Sequence, residues 1–128
     1  MYCRVSLKPT KLFACLSDCT RLRLLALLSG DDALCVCELV HALADIQPKV
    51  SRHLASLREC GLVTDDREGT RVYYRLAPEL PPWAERVVRL AASAIAEEAA
   101  YRDDRARLAA MPNRPIRNQL ASRVAATD

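Results

Sequence analysis

Residues 36–76 read VCELVHALADIQPKVSRHLASLRECGLVTDDREGTRVYYRL, and this stretch decides the fold. Its first eight residues place apolar side chains at the spacing of one buried helical face, which predicts a short helix. Pro48 is tolerated only in a first helical turn, so a second helix is expected from about Gln47 to Glu59, ending at Gly61. The two helices and the short break between them predict a helix-turn-helix.

Two segments rich in β-branched and aromatic residues follow, Leu62 to Arg67 and Thr70 to Leu76. They favour strands, and Glu68-Gly69 between them suits a tight connection. A hairpin directly after a helix-turn-helix is typical of a wing. The expected fold class is therefore mainly α with a small β-hairpin, a winged helix-turn-helix.

The flanking segments are predicted to be helical. Leu12, Phe13 and Leu16 form a short apolar stripe, and Ser17-Asp18 offer N-cap side chains to a leucine-rich helix that Gly30 ends. After Pro78 a long alanine-rich helix is expected from about Pro82 to Ala110, with one apolar face that requires a partner. The predicted organisation is an N-terminal arm (1–11), a winged helix-turn-helix domain (12–80), a C-terminal dimerisation helix (81–110) and a loosely ordered basic tail (111–128).

Composition permits a nucleic-acid partner but does not require one, because 19 Lys and Arg residues face 16 Asp and Glu. The chain has no apolar stretch long enough to span a membrane and no signal-peptide core, which predicts a cytoplasmic protein with no membrane partner. Its six cysteines are unevenly spaced, and in a reducing compartment they are not expected to form stable disulfides. The alternative role for these cysteines is to bind a metal ion.

The helix from Gln47 packs Val50, Leu54 and Leu57 on one face and leaves polar side chains on the other. A major groove admits such a helix, and its polar groups can bond base edges or phosphates. An ordinary solvated helix has the same pattern, but the cations of the following hairpin favour DNA. The candidate DNA-binding residues are Gln47, Lys49, Ser51, Arg52 and His53 in the helix and Arg67 and Arg71 in the wing.

Cys35 and Cys37 lie where the first helix of the helix-turn-helix begins. Residues two apart in a regular helix point to nearly opposite sides, so one shared ion would require an irregular first turn. Thiolates prefer soft ions. A third thiolate is left open among Cys3, Cys15 and Cys19, with Cys3 as first choice, while Cys60 is expected to be a core residue outside the site.

These stretches together resemble the arsenic-repressor (ArsR/SmtB) family of metal-responsive winged-helix repressors. The matching segments are Leu12 to Leu25, Leu34 to Leu39, Gln47 to Leu54, Leu57 to Val63, Gly69, and Val72 to Leu76. The resemblance implies a homodimeric repressor that has no permanent cofactor and is released from double-stranded operator DNA by an ion bound at Cys35 and Cys37. The implied inducers are As(III) or Sb(III), or alternatively Cd(II) or Pb(II).

The sequence departs from the family pattern in ways that affect the site. Val40 stands where many arsenite sensors have their third cysteine, and Cys15 and Cys19 occupy positions where the family seldom has thiols. Asp45-Ile46 replaces Leu-Ser, so Asp45 is expected to cap the recognition helix. A regulator of the same fold that senses thiol oxidation is a further alternative. The cysteine arrangements of a thiol reductase are missing from the sequence, which predicts that the protein is not an enzyme.

Overall fold

The structure is a computed structural model that describes residues 7–30 and 33–115. The helices and strands in these ranges are α1 (Pro9–Leu16), α2 (Cys19–Gly30), β1 (Leu34–Cys35), α3 (Val36–Leu43), α4 (Gln47–Glu59), β2 (Val63–Glu68), β3 (Arg71–Leu76), α5 (Pro82–Ile95) and α6 (Ala99–Ala109). No helix in the described ranges reaches the length and apolarity that crossing a membrane requires.

Helix α2 forms the centre of the core. Its leucines at positions 24, 25, 27 and 28 are each at most 2% exposed, and they point to several sides of the helix. A helix that is apolar on most sides must be surrounded, and α2 contacts α1, α4, α5, α6 and β3. The predicted N-cap is confirmed, since Asp18 Oδ1 accepts the backbone N–H of Arg21 at 3.1 Å.

Helices α3 and α4 form the predicted helix-turn-helix. Ala44 ends α3 in the left-handed conformation with φ 53°, and its N–H donates to carbonyls of the last helical turn. Pro48 lies in the first turn of α4. Val50, Leu54 and Leu57 are fully buried, so α4 presents its polar face to solvent.

The prediction that Asp45 caps α4 is wrong. Ile46 is the N-cap residue, and no side chain makes a capping hydrogen bond. Instead, Asp45 accepts the N–H of Ile46 at 2.8 Å and forms an ion pair with Lys49 at 2.9 Å. These local bonds hold the carboxylate outside the first turn of the helix.

Strands β2 and β3 form the predicted wing, paired antiparallel from Val63↔Leu76 to Glu68↔Arg71. The reversal at Gly69-Thr70 uses a positive φ of 64° at Gly69. Sequence reasoning missed β1, which pairs Leu34 with Tyr74 and Cys35 with Tyr73 and gives the sheet order β1-β3-β2. A two-residue strand is too short to show an alternating pattern.

The single long helix expected from Pro82 to Ala110 is replaced by two helices. The chain leaves α5 after Ile95, Glu98 adopts an extended conformation, and α6 folds back against α2 and α3. Asp104 in α6 is fully buried and forms an ion pair with Arg23 at 2.6 Å. This contact explains the break, because a continuous helix would carry Asp104 away from Arg23.

The chain ends also differ from the predicted arm and tail. Helix α1 begins at Pro9, within the arm expected over residues 1–11, because proline suits a first helical turn. In the predicted loose tail, Arg114 forms an ion pair with buried Glu38 at 2.7 Å. Residues 116–128 lie outside the described part of the chain.

Candidate functional site

Cys35 and Cys37 lie at the junction of β1 and α3, with their Sγ atoms 3.0 Å apart. Cys35 is the N-cap residue, with an extended backbone (φ −70°, ψ 151°), and therefore precedes the helix. The two thiols therefore do not share one regular helical turn, whereas the irregular turn expected when one ion binds both stays a prediction. The strand-to-helix turn brings the sulfur atoms together while α3 stays regular.

The two thiols have different surroundings. Cys35 is 3% exposed and forms a small cluster with Ala33 and Tyr73, separate from the main core. Cys37 is exposed to solvent. Partial desolvation, together with the hydrogen bond to Cys35, raises the pKa of the Cys37 thiol to about 11. A ligand that binds Cys37 as thiolate at neutral pH must displace its proton.

The Glu38 side chain bonds to the backbone of Cys35. Its carboxylate is fully buried, accepts the N–H of Cys35 at 2.8 Å, and also accepts Arg114 Nε at 2.7 Å. The backbone of Glu38 in turn donates to the Cys35 side chain, which completes a capping box. Sequence reasoning missed this role, although Cys35-x-x-Glu38 has capping-box spacing with a thiol in place of the usual hydroxyl.

Within one protomer, the described residues do not bring a third cysteine to Cys35 and Cys37. No group of three or more His, Cys, Asp or Glu side chains suited to a metal occurs in residues 7–30 and 33–115. Cys15 and Cys19 therefore do not join Cys35 and Cys37 inside the protomer. Cys19 is an exposed free thiol at the start of α2, and Cys3 lies outside the described residues.

Cys15 forms a disulfide with Cys60. This bond differs from the expectation that the cysteines form no stable disulfide. Cys60 also packs against the core and lies apart from Cys35 and Cys37, as expected. Spacing along the sequence could not reveal the disulfide, because the two cysteines are 45 residues apart and meet only when α1 packs beside the end of α4.

The candidate DNA-binding residues divide by exposure. Gln47 and Arg52 on α4 and Arg67 and Arg71 on the wing are exposed, and Ser51 is half-buried. Lys49 is half-buried and is held by Asp45. Exposed polar side chains therefore occur both on α4 and on the wing.

His53 points inward instead. Its side chain is 12% exposed, and its Nδ1 lies 3.3 Å from an Arg21 nitrogen and 3.9 Å from Asp18 Oδ1. Arg21 also donates to the carbonyl of Cys15 at 2.7 Å. His53 thus joins α4 to the α1–α2 junction. A second link missed by sequence reasoning joins α4 to the wing, where Arg58 and Asp65 form an ion pair at 3.0 Å.

Comparison with known proteins places this architecture in a family. The family model described as "Bacterial regulatory protein, arsR family" matches residues 18–65. The arsenic resistance transcriptional regulator ArsR1 of Pseudomonas putida is 47% identical over 112 residues, which cover 88% of this chain and 86% of that protein. The chain belongs to the arsR family of bacterial regulatory proteins. It is a transcriptional regulator and not an enzyme.

Other similar proteins agree with this assignment. The arsenical resistance operon repressor of Escherichia coli is 51% identical over 82 residues, or 64% of this chain and 70% of that one. The solved antimony-specific transcriptional repressor AntR has a TM-score of 0.56 at 32% identity, covering 67% of this chain and 75% of its own. A homodimeric winged helix-turn-helix domain from Mycobacterium bovis has a TM-score of 0.55 at 33% identity, covering 66% and 72%.

Proposed function

We propose that this arsR-family regulator is a homodimeric repressor that leaves its operator DNA when trivalent arsenic or antimony binds Cys35 and Cys37. The observation that carries the proposal is the 3.0 Å separation of the two Sγ atoms at the start of the helix-turn-helix. Paired thiols are suited to soft ions. Arsenic and antimony appear in the names of several relatives.

The position of the thiol pair suggests how the ion releases DNA. Cys35 belongs to β1, which pairs with wing strand β3, whereas Cys37 belongs to α3. An ion that bonds both sulfur atoms sets the distance between them, so its binding shifts the wing sheet relative to the helix-turn-helix. A wing and recognition helix displaced from each other fit one half-site poorly.

Dimerisation is supported by apolar side chains left uncovered on the described protomer. Leu90 on α5 is 71% exposed and Phe13 on α1 is 55% exposed, while only Ala84 and Val88 of α5 are buried. We assign the exposed faces of α1 and α5 to the contact with a second copy. Each protomer then presents one recognition helix to one half of a two-fold operator.

Cys3 is the proposed third ligand, supplied by the same or the partner protomer. Cys3→Ser should lower arsenite affinity about tenfold to hundredfold, because a three-thiolate site loses one bond, while operator affinity without the ion stays the same. Thiolate-to-arsenic ultraviolet absorption and isothermal titration measure the loss. Cys19→Ser is the matched control with an exposed thiol. Equal arsenite affinity in Cys3→Ser and wild type would rule Cys3 out.

Gln47, Ser51 and Arg52 are proposed to read bases, and Lys49, Arg67 and Arg71 to contact phosphates. Replacing Arg67 or Arg71 by alanine should weaken binding to all DNA sequences and reduce the slope of log affinity against log salt by about one per lost contact. Arg102→Ala, exposed on α6 and outside the surfaces assigned to DNA and to the second copy, is the control. An unchanged slope in both wing variants would remove the wing from the interface.

The ion class can be distinguished by pH. A divalent cation such as Cd²⁺ displaces thiol protons into solution, so its affinity should rise by up to about tenfold per pH unit for each proton while pH stays below the thiol pKa, which is about 11 for Cys37. Arsenite binds as As(OH)₃, and each of its hydroxides leaves as water together with one thiol proton. Because no proton is released to solvent, the affinity for arsenite should change little from about pH 6 to pH 8. Titrations at both pH values with each ion give the comparison.

The function is tested by fluorescence anisotropy of labelled DNA from the promoter of the protein's own operon. Binding is measured without ion and with arsenite, antimonite, Cd²⁺ or Pb²⁺. Tight, salt-sensitive binding that arsenite and antimonite weaken at least tenfold is expected. Release by Cd²⁺ or Pb²⁺ alone would select the alternative inducers, and indifference to all four ions would overturn the proposal.

A further inference from the structure

The Cys15–Cys60 disulfide connects α1 to the recognition helix. Cys15 lies in the last turn of α1, and Cys60 is the C-cap residue of α4, with their Cα atoms 7.2 Å apart. Leu62 and Val63 follow at the start of the wing and are buried. A bond at Cys60 therefore restrains the point where the recognition helix passes into the wing.

A second set of contacts joins the same elements. Arg21 donates to the carbonyls of Cys15 at 2.7 Å and of Ala14 at 3.3 Å, and contacts His53 Nδ1 at 3.3 Å. Helix α4 is thus held to the α1–α2 junction at its middle through His53 and at its end through Cys60. When the disulfide is absent, the attachment through Cys60 is lost and the attachment through His53 remains.

The sulfur pair lies beside an open cavity. The cavity has a volume of about 320 Å³, and Cys15 and Cys60 line it together with two cations, Lys11 and Arg21, and one carboxylate, Glu59. Cys15 is 5% exposed, whereas Cys60 is half-buried. A small oxidant entering the cavity reaches Cys60 more readily, and neighbouring cations favour the reactive thiolate form of a cysteine.

We propose that Cys15 and Cys60 form a peroxide-oxidised thiol pair, separate from Cys35 and Cys37, that locks the recognition helix to α1. The Cys60 thiolate attacks a hydroperoxide, forms a sulfenic acid and releases an alcohol, or water from hydrogen peroxide. The Cys15 thiol then attacks the sulfenic sulfur, its proton leaves with the sulfenic hydroxyl as water, and the S–S bond forms. The two cysteines together lose two electrons, and the peroxide O–O bond accepts them.

The lock strengthens operator binding. The crosslink fixes the end of α4 to α1, so the oxidised chain has less conformational freedom to lose when it docks. The reduced chain keeps more of that freedom and loses it on binding. Hydroperoxide therefore raises operator affinity threefold or more, and a dithiol reductant reverses the change.

The experiment uses the full chain with Cys35→Ser and Cys37→Ser, so that the inducer thiols do not react. Operator affinity, free-thiol count and peptide masses are measured after dithiothreitol, after hydrogen peroxide, and after peroxide followed by dithiothreitol. The expected result is a loss of two thiols, a crosslinked peptide joining residues 15 and 60, and a reversible affinity gain. In the same background, the further substitution Cys60→Ser should abolish the thiol loss, the crosslinked peptide and the affinity gain. The further substitution Cys19→Ser should preserve all three.

Two results would overturn the proposal. One is that peroxide leaves the two thiols free or couples other cysteines. The other is that the crosslinked and reduced proteins bind the operator equally. Both results are measured on the same protein before and after reduction, so they do not depend on whether the Cys60→Ser variant folds. Failure of this proposal leaves the proposed release by arsenite unaffected, because that release is tested with Cys35 and Cys37 intact.

Discussion

The double substitution Cys35→Ser/Cys37→Ser should leave operator affinity within about twofold of wild type and abolish release by arsenite. The serine hydroxyls keep the size of the thiols, so the β1–α3 turn and the Glu38 capping box should persist. A hydroxyl is a poor ligand for a soft ion. Coupling between two binding sites typically changes affinity by about 5-fold to 150-fold. In the double variant, arsenite should no longer change operator affinity by any such factor.

Operator anisotropy at saturating arsenite measures this prediction, with Cys19→Ser as a control that changes an exposed thiol elsewhere. The control should respond as wild type. Retained release in the double variant would show that the ion acts through other ligands. Loss of DNA binding without any ion would instead show that the thiols serve the fold.

Arg23→Ala should destabilise the protein by at most about 3–5 kcal/mol, the cost of leaving a buried charge without a partner, because Arg107 still offsets part of the Asp104 charge. Asp104 is fully buried, and Arg23 donates to both of its oxygens at 2.6 and 2.8 Å. The hydrogen bond to Asp104 raises the pKa of Arg23, which reflects a mutual preference for the charged forms. Arg107, at 2.9 Å, is the partner that Asp104 keeps.

Urea unfolding at one fixed protein concentration measures the change, since the stability of a dimer depends on concentration. Arg58→Ala is the matched control because Arg58 pairs with Asp65 on the exposed surface, where such pairs contribute about 0.2–1 kcal/mol. If the two variants lose equal stability, the buried pair does not anchor α6. An Arg23→Ala loss several times larger supports the anchoring role.

The central part of the fold could be predicted from local patterns. The α3–α4 unit was predicted within a residue or two because Pro48, Gly61 and the apolar spacing act over a few positions. The wing strands followed from β-branched and aromatic residues. The break between α5 and α6 could not be predicted in this way, because it depends on Asp104 meeting Arg23, which is 81 residues away in sequence.

The candidate site was partly predictable for a similar reason. The Cys35 and Cys37 pair was visible in the sequence, but its geometry depends on β1, whose pairing with Tyr73 and Tyr74 is non-local. His53 looked like a DNA-reading residue, since a helical pattern alone does not show that Arg21 and Asp18 lie against it. The contact of Arg114 with Glu38 joins two segments that no local pattern connects.

The proposal that ion binding at Cys35 and Cys37 releases DNA is tested by one titration in which the thiolate-to-arsenic absorption and the anisotropy of bound operator DNA are recorded on the same sample. Both signals should change together and reach their plateaus at the same ratio of arsenite to protein chain. Both changes should vanish in the Cys35→Ser/Cys37→Ser protein. A thiolate signal that saturates while the DNA stays bound would show that ion binding does not release the operator.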